Sequence, residues 1–148
     1  MLNSKVVVVG SFNMDLVIKA KRRPKKGETI IGESFGMFIG GKGANQAIAA
    51  ARLGSSVHMV GCLGNDTFGN MFLDAFEREE INTDFVIRDP VVGTGVGTPV
   101  IDMNGDNSII IVPQANMMLT PDNVEVATKV IAKADVLVLQ LEVPIDAS

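Results

Sequence analysis

The chain has 148 residues, 47% hydrophobic and 20% charged, with a net charge of −4, one cysteine and one histidine. That composition fits one globular domain with a real core, or a piece of a larger protein. The acidic balance argues against a general nucleic-acid surface. The single Cys62 excludes an intrachain disulfide and a cysteine-rich metal site, and no apolar run approaches the roughly 18 residues of a membrane span. The expectation is a soluble cytoplasmic protein with no nucleic-acid or membrane partner.

KVVVVG at 5–10 is a continuous β-branched run and predicts a strand buried on both faces, as in parallel sheets. VVVV is also too short for a signal-peptide core. SFNMD follows at the strand's carboxyl end. Two extended segments, 15–20 and 28–40, are punctuated by glycine and predict a side sheet or flap. The basic run KAKRRPKK between them contains Pro24 and is followed by Gly27, so it reads as a solvated turn. GANQAIAAARLG predicts a helix with Ala44, Ala47, Ile48 and Ala51 on one face and Gly54 as its stop. VHMVGCLG at 57–64 predicts a second buried strand, with His58 as a structural strand histidine and Cys62 as a buried, inert thiol.

Residues 67–80 predict a helix with Phe68, Phe72 and Phe76 as a core stripe, and 81–89 a short strand. Residues 94–112 predict a hairpin in which Asn104-Gly105 takes the positive φ angles of a type I′ turn. Thr120 and Pro121 suit an N-cap and the first helical position, opening a helix to about Ala134. Its apolar face is Val124, Ala127, Val130, Ile131 and Ala134. DVLVLQLE at 135–142 predicts a last buried strand ending in Glu142. Strands and helices thus alternate, interrupted by extended inserts. The fold class is α/β, a doubly wound and mostly parallel sheet carrying a small β flap.

In such sheets ligands bind beyond the carboxyl ends of the strands. Asn13, Asp15 and Glu142 fall there, and the glycine loop at 40–43 opens a helix whose amides would face the same rim. Gly36 to Lys42 fits the first seven positions of G-x-x-x-x-G-K. The eighth position should be Ser or Thr to hold magnesium, and it is Gly43. A phosphate loop is therefore disfavoured, and no G-x-G-x-x-G follows the first strand. Asn13, Asp15, Lys42, Asn45 and Glu142 mix acceptors with donors, which suits a polyol better than a phosphate. Glycines would let backbone amides approach the ring.

GGKGANQAIAAARLG, with VVVVGSFNMDL, GETIIGESF, GNDTFGN and VLVLQLE in order around it, resembles the ribokinase, or phosphofructokinase-B, family of sugar kinases over essentially the whole chain. The resemblance is closest to members that convert D-ribose and ATP to D-ribose 5-phosphate and ADP. It implies a Rossmann-like αβα domain and a β-sheet lid built from about 15–40 and 94–112, through which two subunits pair as a homodimer. It further implies sugar contacts from Asn13, Met14 and Asp15, from Gly41, Lys42, Gly43, Ala44 and Asn45, and from Glu142, with Ile111 as lid packing.

The chain stops at Ser148, about half-way through such a kinase. The resemblance places the general base, the anion hole, the adenine pocket and the magnesium and potassium sites beyond that point. No catalytic residue, metal or ATP site is therefore expected within 1–148, and the chain alone is expected not to phosphorylate ribose. The edge beside 135–141 is expected to be open and apolar, favouring association. Two other readings stand beside this one: a kinase for another sugar or nucleoside, and a non-catalytic sugar-binding or lid-dimerising module.

Overall fold

The computed structural model describes residues 4–148. Two four-stranded sheets divide the strands between them. The first contains β1 (Lys5–Val9), β4 (Ser56–Gly64), β5 (Asn82–Asp89) and β8 (Val136–Leu139), all parallel, in the order β5-β4-β1-β8. The second contains β2 (Asn13–Lys19), β3 (Ser34–Gly40), β6 (Val96–Ile101) and β7 (Asn107–Val112), in the order β3-β2-β6-β7. There the β2–β3 and β6–β7 pairs are antiparallel and β2–β6 is parallel. These are the expected central sheet and flap.

β1 explains the layering. Its side chains alternate between faces, so Val6 and Val8 enter one core and Val7 and Val9 the other. The first core lies under α1 (Lys42–Arg52) and α2 (Thr67–Arg78) and includes Ala44, Ala47, Phe72 and Phe76. Phe12 joins it at the crossover between the sheets, with its ring 5.2 Å from Phe72 and 5.7 Å from Phe76. Phe68 packs at this core's margin. The second core gathers Val60, Cys62, Ala115, Leu119 and Ala127 on the opposite face. The result is an αβα sandwich with a β-sheet lid.

The helix starts follow their caps. Asp66 accepts from the Gly69 N–H at 2.8 Å and opens α2. Thr120 caps α3 (Pro121–Glu125) in a reciprocal box with Asn123.

Four expectations are corrected. The helix expected over 121–134 is broken into α3 and α4 (Thr128–Ile131). At the break the Ala127 N–H reaches back three residues to Val124, and the Thr128 hydroxyl donates to the Glu125 carbonyl at 2.6 Å, competing with the regular ladder. Only Ser34–Gly40 of the segment 28–40 is a strand. The 94–112 hairpin does not use a type I′ turn: Gly105 has φ +83°, whereas Asn104 is not in the positive-φ region. The Asp102 side chain accepts from the Asn104 and Asp106 amides and holds a longer loop instead. Finally, β8 is not a buried strand: Val136, Leu137 and Leu139 are exposed at the sheet edge, which is the open apolar edge expected beside 135–141.

Candidate functional site

β1 and β8 run side by side, so their carboxyl ends open at one place. Beyond β1 the chain crosses through Gly10, Ser11 and Phe12 into the lid. Beyond β8 it passes Gln140 to Glu142. Two bonds tie these exits together: the Gln140 N–H donates to the Val9 carbonyl at 2.9 Å, and the Ser11 N–H donates to Gln140 Oε1 at 3.0 Å.

The glycine loop leans on this crossover rather than standing free. A Cβ at Gly43 would fall 2.5 Å from the Ser11 nitrogen, and one at Gly41 would fall 2.6 Å from the Asn13 nitrogen. Gly41 also needs its φ of +90°. The Ala44 N–H is bonded to the Ser11 carbonyl at 3.0 Å and the Asn45 N–H to the Gly41 carbonyl at 2.9 Å. The glycines thus serve a close approach of backbone to backbone at the crossover.

Around the crossover the polar side chains converge. Glu142 receives the Ser11 hydroxyl on Oε2 at 3.0 Å and pairs with the Lys42 ammonium through Oε1. Asp15 stands in β2 between Phe38 of β3 and Gly97 of β6. Its carboxylate occupies space that side chains at Gly40 and Gly97 would fill; a Cβ at Gly97 would lie 2.5 Å from Oδ1. Among the described residues no donor is bonded to it. Burial, and then the charge of Glu142, raise the Asp15 carboxyl above the usual carboxylate range. Asp15 and Lys42 are thus both linked to Glu142, which faces an open space.

That space is a cavity of about 720 Å³ lined by Asn13, Ile111, Asn116, Met117, Glu142 and Ile145, among others. Three of the expected site residues thus line it: Asn13, Ile111 and Glu142. Asp15 and Lys42 do not line it, but each interacts with Glu142. Met14 and Ala44 do not reach it, because both side chains are wholly buried in the first core. Their N–H groups are bonded to the carbonyls of Gly95 and Ser11. Gly41 and Gly43 pack against the crossover, and Asn45 lies exposed on the first turn of α1. Ser11, Gln140 and Asn116 were missed. Ser11 and Gln140 sit within quoted motifs next to predicted site residues. Asn116 falls in a short 3₁₀ turn, Gln114–Met118, where no periodicity marks it.

Fold and rim together define an α/β domain with a cavity at the strand ends beside a second β-sheet. The family model described as pfkB family carbohydrate kinase matches residues 3–145, and the chain belongs to that family. It is 44% identical over 140 residues to the ribokinase of Bacillus subtilis, covering 94% of this chain and 47% of that protein. It is 38% identical to the deoxyribokinase of Salmonella typhi, covering 95% and 46%. Among solved structures, Arabidopsis thaliana ribokinase complexed with ribose and ATP superposes with a TM-score of 0.83 at 35% identity, covering 99% of this chain and 49% of that one. The chain spans about half the length of the curated relatives it matches.

Proposed function

We propose that residues 1–148 form the sugar-binding part of an ATP-dependent ribokinase, which converts D-ribose and ATP to D-ribose 5-phosphate and ADP. The observation that carries this reading is the Asn13, Asp15, Lys42 and Glu142 rim: two carboxylates, an amide and one ammonium, drawn together from three separate segments. Carboxylates accept from hydroxyls, and an amide both donates and accepts, so the set fits a polyol. The relatives named ribokinase support the same substrate.

Gly43 stands where a phosphate loop needs Ser or Thr to hold magnesium. The donor ATP, its magnesium and an activating potassium are therefore assigned to the part of such kinases that this chain does not cover. Phosphoryl transfer depends on positioning and on stabilising charge at the transferred group. This chain supplies positioning of the acceptor alone, and we expect no phosphorylation of ribose by it in the presence of ATP and magnesium. The exposed apolar side chains of the lid, Phe35, Phe38 and Ile110 among them, support a homodimer formed through that sheet in a cytoplasmic enzyme.

A second reading has a specific observation behind it: the relative named deoxyribokinase makes 2-deoxy-D-ribose an alternative substrate. Calorimetric titration of D-ribose and 2-deoxy-D-ribose separates the two. Tighter binding of D-ribose, lost in Asp15→Ala, supports the first reading. Preference for the deoxy sugar selects the second, and binding of neither overturns both.

A further inference from the structure

We propose that Asn116 is a positioning residue of the sugar site, fixing which end of the Asn13 carboxamide faces the cavity. The inference rests on the sugar-binding reading above, and on a hydrogen-bond node that the sequence does not reveal.

Asn116 follows β7 and is wholly buried. Its Oδ1 accepts the Phe12 N–H at 2.8 Å, across 104 positions of sequence. Its Nδ2 donates to the Phe12 carbonyl at 2.7 Å and to the Pro113 carbonyl at 2.9 Å, and lies 3.2 Å from Asn13 Oδ1. Phe12 sits where the chain leaves the central sheet for the lid, beyond the end of β1 and before the start of β2. A buried backbone group at such a place needs a partner. The Asn116 carboxamide supplies both, bonding the N–H and the C=O of one residue as a neighbouring strand would.

The orientation of this amide is determined by its partners. Turned over, Asn116 would set an oxygen against the two backbone carbonyl oxygens of Phe12 and Pro113 and an NH₂ against the Phe12 N–H. Nδ2 shares its two hydrogens among the oxygens of Phe12, Pro113 and Asn13, and Asn13 presents Oδ1 to it because the reverse would place two NH₂ groups face to face. Gly95 closes over the same node: a Cβ there would fall 2.5 Å from Asn13 Oδ1 and 2.6 Å from the Phe12 oxygen. Asn13 lines the cavity, so its Nδ2 is the end left to face a ligand.

The rim then carries a neutral donor beside the acceptors Asp15 and Glu142. One sugar hydroxyl donates to a carboxylate and accepts from Asn13 Nδ2. Asn116 acts through Asn13 and touches no reacting atom.

Proton exchange of the side-chain amides in the unmodified chain tests the node directly. The expected result is slow exchange for the Asn116 carboxamide and fast exchange for Asn13, with the Asn13 signal moving when D-ribose is added. Exchange of Asn116 as fast as that of the exposed Asn45 would overturn the proposal. A double-mutant cycle tests the coupling. Asn116→Ala is expected to weaken D-ribose binding about tenfold, the loss of one well-made hydrogen bond, and to have less than about a twofold effect in an Asn13→Ala background. A purely structural role would lower the melting temperature and weaken binding equally in both backgrounds, which contradicts the proposal. If Asn116→Ala does not fold, the exchange measurement on the unmodified chain decides. If the unmodified chain does not bind D-ribose, the functional reading fails, while the exchange pattern still tests the Asn116 node.

Discussion

Lys42, at the first turn of α1, pairs with Glu142, beyond β8, across 100 positions of sequence. Glu142 lines the cavity, and the pair sets a cation beside that carboxylate. The Lys42 side chain is 69% exposed, so its removal should change stability by less than about 1 kcal/mol. Its effect on binding should be larger. Lys42→Met leaves Asp15 and Glu142 as like charges without a neighbouring ammonium, and D-ribose affinity is expected to fall about tenfold, roughly 1.4 kcal/mol. Thermal melts and calorimetry on the same variant measure the two effects separately.

Asp15 predicts opposite changes in stability and binding. Its carboxyl is raised in the folded chain, by burial first and by Glu142 second. At pH well below the unfolded value the proton is bound in both states and the group has no effect. As pH rises from the unfolded value through the raised folded value, the folded state loses stability. Asp15→Asn should therefore gain melting temperature over the parent at pH 7, with a smaller gain near pH 3.5, and should lose sugar affinity. An unchanged difference between the two pH values would show that the shift is absent.

Two glycines should respond differently to the same methyl group. A Cβ at Gly43 meets backbone, 2.5 Å from the Ser11 nitrogen and 2.7 Å from the Gly10 carbonyl carbon, and backbone does not swing aside. Gly43→Ala should cost about 3 kcal/mol. Gly54 has φ +91° but open space around it, so Gly54→Ala should cost only about 1 to 2 kcal/mol, the left-handed backbone penalty. Denaturant unfolding of both variants checks the order.

Cys62 is 1% exposed, and burial followed by the nearby charge of Asp89 pushes its thiol up to about 11. A thiol reagent at pH 8 should leave the native chain unmodified and label it once denaturant is added. Rapid native labelling would show that the second core opens.

The parts of this molecule that were legible in the sequence are those with a local period or a local cap. VVVV, the alanine face of α1 and the phenylalanine stripe of α2 each repeat at the spacing their element requires, so strand and helices were readable. Thr120-Pro121 marked a helix start correctly but carried no sign of its end, because the break at Ala127 depends on the Thr128 hydroxyl bonding to Glu125. β8 looked buried because VLVL is apolar, and its open edge was foreseen from the family resemblance rather than from its own residues. Within the site, Asn13 and Glu142 could be placed because strand ends form the rim. Met14 could not be separated from them without the two-residue alternation of β2, which turns its side chain into the core. Asn116 was out of reach, since its role exists only where the lid and the crossover meet.

The most direct test of the account is a titration of D-ribose into the ¹⁵N-labelled chain, followed by its amide spectrum. The account predicts dispersed peaks, with shifts concentrated at Ser11, Asn13, Asp15, Lys42 and Glu142 and abolished in Asp15→Ala. A dispersed spectrum that D-ribose leaves unmoved would contradict the assignment of this rim as a ribose site.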